Sequence, residues 1–267
     1  MARLDYANLI NPFPVCLMLG TIRKPKLAEI FDPCNGIGYE TFSYFEFILM
    51  LDPETYFCKL RGEQGKTKWD AMTNEEKDNQ KLYDIIINDD ELKKQFLDVF
   101  NFFFMEKVIF AENVFLLLKD KNAIDDIDKL TTDDLKGYIS ADSFDDVLSI
   151  LRQICCISDD DHPAQSKFKN KIAEELFKKI SRGQKQKEKS DKKFSIPNII
   201  SAVSNKHPTI SPITVYDLTI FQLMDCFARL QSNTIYEIES LRVAVWGDEK
   251  KTFNAENWYK FLHSDIN

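Results

Sequence analysis

The strongest pattern of apolar and polar positions in this chain lies in segment 214–246. Apolar side chains recur there with the three- and four-residue spacing of an amphipathic helix. The sequences Thr219-x-x-Gln222 and Thr234-x-x-Glu237 are capping boxes, which favour the start of a helix. We therefore predict two helices in this segment, the second of which ends before the glycine at position 247. The apolar positions that carry this prediction are Ile220, Leu223, Met224, Phe227, Leu230, Ile238, Leu241 and Val245.

Similar spacing predicts helices along the rest of the chain. Segment 39–51 is apolar on most sides, so it should be buried in this protein or in a partner. A further capping box, Thr73-x-x-Glu76, favours a helix that reaches about residue 87. Asp89 or Asp90 caps the next helix, whose apolar residues fall on one continuous face. Other helices are predicted at 26–31, 140–156, 163–183, 195–203 and from 254 onwards.

β-structure is predicted at two places. The apolar run 15–22 is short and contains Gly20, which favours a strand over a helix. In segment 108–118, Glu112 and Asn113 separate two apolar runs, and both a hairpin and a continued helix fit this pattern. Segment 59–73 is polar and contains two glycines, so we predict a loop there.

Together these elements predict a mainly α protein with helical bundle-like domains and a small β element near the N-terminus, with the hairpin at 108–118 as one of the two alternatives for that segment. Glycine and proline number only 8 and 9, which argues against sandwiches, barrels and nucleotide-binding α/β folds. Segment 184–193 holds no apolar residue and is the best candidate for a linker. We predict an N-terminal domain over 1–160, a basic helix and linker over 161–194, and a C-terminal helical domain over 195–267.

The net charge of −8 gives no sign of nucleic-acid binding by the chain as a whole. The charge is uneven, because segment 163–207 holds 12 Lys and Arg against 4 acidic residues, which is +8 and leaves −16 elsewhere. The six cysteines include no C-x-x-C pair, so we expect reduced thiols in a cytosolic compartment. No apolar run approaches the roughly 20 residues that a membrane span needs, so no membrane partner is predicted.

No segment of the sequence predicts an active site. Residues 62–67 (GEQGKT) resemble the end of a phosphate loop, but the first glycine of that motif is replaced by Leu60. His162, His207 and His263 lie far apart and show no metal-ligand spacing with Cys or Asp. The paired aspartates lack the alternating ligands of a calcium loop. We therefore predict no enzyme activity, no catalytic residue, no metal and no cofactor.

Apolar and basic surfaces are the better candidates for function. The Lys-rich segment 167–193 can be a solvated helix face, a surface for an acidic protein, or a contact to phosphates. Its only aromatic residues are Phe168 and Phe177, which is fewer than single-stranded nucleic-acid sites use. The predicted partner-binding residues come from the helix at 39–51, the basic segment and the helix after Thr219; they are Tyr39, Phe42, Phe45, Lys185, Lys187, Lys189, Phe221 and Met224.

A family resemblance is carried by segments near both ends of the chain: 19–30 (LGTIRKPKLAEI), 37–42 (IGYETF), 173–187, 199–204 (IISAVS), 216–231 (YDLTIFQLMDCFARLQ) and 253–262 (FNAENWYKFL). These segments resemble tail assembly chaperones from the tail modules of phages and prophages of Gram-positive bacteria. The resemblance is clearest over 170–262 and does not extend to 60–140. Because the matching segments are fold signatures, they transfer no catalytic residue.

The resemblance implies a protein of the host bacterial cytoplasm that holds the aggregation-prone tape-measure protein and recruits tail-tube subunits before the tail polymerises. A groove for an amphipathic helix is the expected mode of binding. Self-association and recognition by a host defence sensor are further options under the same resemblance. Two alternatives remain open: a structural component of the virion tail, and a nucleic-acid-binding protein that acts through 167–193. The charge of the chain makes nucleic acid the weaker candidate.

Overall fold

The computed structural model describes residues 2–120, 131–157, 195–248 and 253–259. The basic helix and linker predicted over 161–194 lie outside the described residues. The chain divides into two compact units: one comprises Met1–Pro25 and Glu29–Ile157, and the other comprises Lys26–Ala28 and Ser158–Asn267. The fold is mainly α with small antiparallel sheets, which confirms the predicted fold class.

Short helices make up most of the described residues before 158. A π-helical turn at Tyr56–Leu60 follows the fourth of them, and a short 3-10 turn at Thr132–Asp134 precedes the last strand. The elements in chain order are α1 (Tyr6–Ile10), β1 (Val15–Cys16), β2 (Thr21–Ile22), α2 (Leu27–Phe31), α3 (Tyr39–Leu49), α4 (Pro53–Thr55), α5 (Gly62–Ala71), α6 (Asn74–Asn79), α7 (Leu82–Ile87), α8 (Asp90–Phe103), β3 (Lys107–Ala111), β4 (Val114–Leu118), β5 (Leu135–Ile139) and α9 (Ala141–Ile154).

Helix α8 supplies the centre of the first unit. The Asp89 carboxylate accepts hydrogen bonds from the backbone N–H groups of Glu91 and Leu92, so it caps the helix as predicted. Phe100 is fully buried in the middle of the helix. Its ring meets four other aromatic rings at centroid distances of 5.0 to 6.2 Å, those of Phe96, Phe104, Phe115 and Phe144. This edge-to-face cluster joins α8 to β4 and α9.

The segment 108–118 forms a hairpin, which settles the choice left open by the sequence. Strands β3 and β4 pair antiparallel, with Ala111 opposite Val114. The two residues between them, Glu112 and Asn113, have φ values of 51° and 61°. A two-residue turn with both φ values positive matches the right-handed twist of the flanking strands.

Strand β5 is a third strand that the sequence analysis did not predict. It pairs antiparallel with β4 and completes a three-stranded sheet. Gly137 lies in β5 where a Cβ atom would fall 2.2 Å from the Leu19 carbonyl oxygen. Only glycine therefore allows the turn after β1 to lie so close to this sheet.

Two predictions about the N-terminal half need correction. The strand predicted over 15–22 is a pair of two-residue strands, β1 and β2, joined by a turn in which the Leu17 N–H donates to the Gly20 carbonyl. The loop predicted over 59–73 is wrong, because that segment is largely helical. Its helix is held by Trp69, which is buried and stacks on Phe57 at 5.6 Å. Tertiary packing of one aromatic residue thus overrides a weak local preference.

The second unit contains two longer helices, α10 (Ile196–Lys206) and α11 (Ile220–Trp246), with a 3-10 turn at Thr214–Asp217 between them. The capping box at Thr219 is confirmed at the start of α11. The helix start predicted at Thr234 is wrong, because α11 runs through it without a break.

Helix α11 continues through Thr234 because that hydroxyl bonds backwards along the helix. It donates to the Leu230 carbonyl at 2.7 Å, four residues earlier, and so does not cap the backbone that follows. The helix ends at Gly247, whose φ of 75° is the conformation that glycine adopts most easily. The third helix predicted from residue 254 is a turn over the described residues 255–259, and 260–267 lie outside the described residues.

Phe100→Ala should lower the free energy of unfolding of the first unit by about 3–5 kcal/mol, because it removes a ring packed by four others. Phe13→Ala is the matched control, since Phe13 is 70% exposed. Urea unfolding of the full chain measures both variants. Equal effects of the two substitutions would contradict the central position given to Phe100.

Glu46 on α3 predicts a pH dependence of stability. Burial raises its pKa from 4.5 to about 7. Between these pH values the Glu46 carboxyl is ionised in the unfolded chain but protonated in the folded chain. The contribution of Glu46 to stability therefore falls as pH rises from 4.5 to about 7. The full loss is on the order of 3 kcal/mol.

Glu46→Gln should therefore stabilise the protein more at about pH 8 than at about pH 5. Glu40→Gln, on the exposed side of the same helix, controls for the loss of one charge. Denaturant unfolding at both pH values is the measurement. If the free energies of unfolding of Glu46→Gln and the parent differ by the same amount at both pH values, the raised pKa of Glu46 is refuted.

Candidate partner-binding surface on helix α11

Helix α10 packs against the first half of α11. Ile199, Ile200 and Val203 of α10 are buried, as are Phe221 and Leu223 of α11. Ile199 and Val203 are four residues apart and Ile200 and Val203 are three apart, so the buried residues of α10 lie on one face of that helix. The contact between the two helices forms the core of the second unit.

A groove of about 460 Å³ opens where this contact ends. Helix α10 ends at Lys206, whose ammonium group donates a hydrogen bond to the Thr234 hydroxyl. The groove is lined by Ala202, Lys206, Phe227, Leu230, Gln231, Thr234 and Ile235. Its walls are mainly apolar, and its polar groups lie on Lys206, Gln231 and Thr234. We call this the α10–α11 groove.

Beyond the groove, α11 carries an exposed apolar surface. Five large apolar side chains lie within twelve consecutive residues, and each is more than half exposed: Ile235 (59%), Ile238 (63%), Leu241 (68%), Val245 (68%) and Trp246 (77%). Apart from the adjacent Trp258 and Tyr259, the other exposed large apolar residues of the described chain are separated along the sequence. An exposed apolar group of this density is typical of a surface for binding another protein.

One side of α11 is in contact with the described segment 253–259. The Tyr236 and Phe253 rings lie 5.6 Å apart, and the Ser232 hydroxyl donates to the Asn257 carbonyl at 3.3 Å. The segment 253–259 therefore runs back along α11 on the side that carries Ser232 and Tyr236.

The structure places the predicted binding residues of α3 mostly inside the first unit. Phe42 and Phe45 are buried, with ring centroids 6.3 and 5.7 Å from that of Phe102. Tyr39 is half-buried and stacks on Phe31 at 4.7 Å. A partner would reach Phe42 and Phe45 only if the first unit opened, so these residues act in the folded chain as core.

The other predicted binding residues are divided between core, surface and the part of the chain that is not described. Phe221 is buried, whereas Met224 is half-buried on α11. Lys185, Lys187 and Lys189 lie outside the described residues. The exposed residues Ile238, Leu241 and Val245 were recognised in the sequence as a helical stripe. Their exposure could not be foreseen, since it depends on where α10 ends.

A charged cluster around Asp89 has a structural role in the first unit. Asp89 accepts a hydrogen bond from the Tyr56 hydroxyl at 2.6 Å and forms an ion pair with Arg61. Burial alone would raise the pKa of Asp89, but the hydrogen bonds from Tyr56, Arg61 and the Leu92 N–H outweigh it and lower that pKa. This network fixes the start of α8, and the Asp89 carboxylate within it is ionised at neutral pH.

Within the described ranges, no group of three or more His, Cys, Asp or Glu side chains could hold a metal ion. None of the helices in those ranges combines the length and the apolar character that crossing a membrane requires.

Comparison with known proteins gives one match. Residues 185–263 are similar to the family described as YomV second domain, a phage-associated domain. The matched residues contain the whole α10–α11 groove and the exposed surface of α11. The comparison found no match among curated proteins and none among solved structures.

Proposed function

We propose that this protein is a non-enzymatic phage tail assembly protein of the host bacterial cytoplasm. In this proposal it binds a helical segment of the tape-measure protein, and through it the tail-tube protein, before the tail polymerises. The single observation that carries the proposal is the α10–α11 groove, an apolar groove that lies within the phage-associated segment of the chain.

The lining of the α10–α11 groove suits an amphipathic helix. Phe227, Leu230 and Ile235 provide apolar contacts for side chains spaced three and four residues apart on a partner. Lys206 at the rim can pair with a carboxylate on that partner, and Gln231 can donate or accept a hydrogen bond. Lys206 and Gln231 would determine the orientation of the bound helix more than they would add to its affinity.

The charge distribution supports a holding role. The chain carries −16 outside segment 163–207, and such a charge keeps a complex with an apolar partner dispersed. A partner that would aggregate alone can then stay in solution while its apolar helix is covered. This is the physical requirement for a chaperone of a long helical protein.

A structural role in the finished virion is the main alternative, and particle composition separates the two. Mass spectrometry of purified particles should find this chain absent or far below the amount of the tail-tube protein. Presence at a fixed ratio to tail-tube subunits would favour the structural role.

Ala202→Arg should abolish binding of the tape-measure protein from the same phage or prophage, because the long cationic side chain would fill the α10–α11 groove. Ala202 is exposed and sits on a helix, so the substitution should leave the fold intact. Ser201→Arg is the matched control, since Ser201 is exposed on the same helix and does not line the groove. Co-expression followed by co-purification measures both.

Three outcomes of this experiment decide the proposal. Loss of co-purification with Ala202→Arg alone supports groove binding. Equal co-purification by the parent and both variants places the contact elsewhere and contradicts the groove as the site. No co-purification by the parent contradicts the proposed partner.

A further inference from the structure

Helix α11 carries a seven-residue repeat along most of its length. Apolar or uncharged residues recur at alternating intervals of four and three, at Ile220, Met224, Phe227, Gln231, Thr234, Ile238, Leu241 and Val245. This spacing places them on one narrow stripe, as in positions a and d of a coiled coil. In this assignment Ile238 and Val245 occupy a, and Leu241 occupies d.

The repeat is buried only at its start and is exposed in its last part. Helix α10 packs beside the first residues of the stripe, the α10–α11 groove follows, and Thr234 is the last a or d residue that lines this groove. The next three, Ile238, Leu241 and Val245, are 63–68% exposed. We call these three residues the α11 seam.

The segment 253–259 does not occupy the seam. It contacts Ser232 and Tyr236, which fall at positions b and f of the same repeat. These positions lie on the side of a helix that faces away from a and d. The described segment 253–259 therefore contacts the outer side of α11, and the seam residues stay exposed to solvent.

We propose that the α11 seam pairs with the α11 seam of a second copy as a parallel two-stranded coiled coil. β-branched residues at a with leucine at d favour two parallel strands, and the seam has this arrangement. Each seam residue then meets its own equivalent across a twofold axis, so one surface serves both copies.

The charges beside the seam fit this pairing. Glu237 occupies position g and Arg242 occupies position e of the following heptad, both exposed. In a parallel coiled coil the g residue of one helix faces the e residue five positions later on the other helix. Glu237 of each copy thus faces Arg242 of the other, which gives two equivalent ion pairs. Within the described chain, neither residue forms a salt bridge.

An antiparallel arrangement loses these ion pairs. When helices run in opposite directions, e faces e and g faces g. In the register that sets Ile238 against Leu241, Arg242 would face Ile235 and Glu237 would face Ala244. Both charges would lie against apolar side chains, at a cost in desolvation. The sequence beside the seam therefore distinguishes the two directions.

The dimer should be weak and depend on concentration. A seam of three apolar layers covers about two turns of helix, well below the ~800 Å² per partner of a standard interface. Sedimentation velocity of the full chain should accordingly show a shift from monomer to dimer as concentration rises. A monomer at every concentration would overturn the proposal.

Leu241→Asp should keep the chain monomeric over the same range, because the dimer would set two carboxylates against each other in an apolar layer. The residue is 68% exposed in the single chain, so helical circular dichroism should stay at the parental level. Trp246→Asp is the matched control, since Trp246 is 77% exposed and falls at position b, outside the seam. A dimer that survives Leu241→Asp would refute the seam as its interface.

A charge exchange tests the direction of the helices. Glu237→Arg and Arg242→Glu should each raise the dimer dissociation constant by about two- to tenfold, since each sets like charges together in both pairs. The double variant restores opposite charges and should recover the parental value. An equal mixture of the two single variants should form mixed dimers in preference to either pure dimer.

The exchange has two contrary outcomes. If neither single variant changes the dissociation constant, or if the double variant fails to recover it, the parallel arrangement is wrong. Ala202→Arg, which fills the α10–α11 groove, should leave dimerisation unchanged. Failure of the coiled coil and failure of tape-measure binding are therefore separate results.

Discussion

The difference in length between α10 and α11 is the constraint on which the surface of the second unit depends. Helix α10 has 11 residues and α11 has 27, so at 1.5 Å per residue they span roughly 16 and 40 Å. A short helix cannot cover the apolar stripe of a long one. The start of α11 is buried, and the last third of the helix keeps its apolar residues in solvent.

The first unit shows the opposite arrangement, in which short elements cover one another. Phe100 connects α8 with a sheet strand and with α9 through aromatic contacts. The Asp89 network holds the start of the same helix. Phe42 and Phe45, which the sequence offers as partner contacts, are absorbed into this core. The two units therefore differ in what they leave exposed, and the second unit presents the longer run of apolar surface.

Local signals in the sequence predicted most helices but not how far each one runs. The caps at Asp89 and Thr219 were identified because a side chain and its backbone partner lie three residues apart or fewer. Thr234 carries the same signal, yet its hydroxyl bonds to the preceding turn, and no local rule separates the two outcomes. Strand β5 escaped prediction because its pairing with β4 is a contact between distant segments.

The sequence could predict which apolar residues form the candidate surface, but not that these residues are exposed. The apolar spacing of Ile238, Leu241 and Val245 is visible in the sequence, but whether such a stripe is core or surface depends on the partner helix. Phe42 and Phe45 of α3 have the same kind of apolar spacing and are buried in the first unit. Apolar periodicity reports that a face will be covered, and only the fold shows what covers it.

The close approach at Gly137 has a consequence for inheritance. Any side chain at this position would collide with the Leu19 backbone, so every missense change in its codon should damage the sheet. Among diverging descendants of this gene, that codon should keep encoding glycine while neighbouring codons change the residues that they encode. Retention of glycine there would thus mark those lineages in which the turn still rests on the sheet.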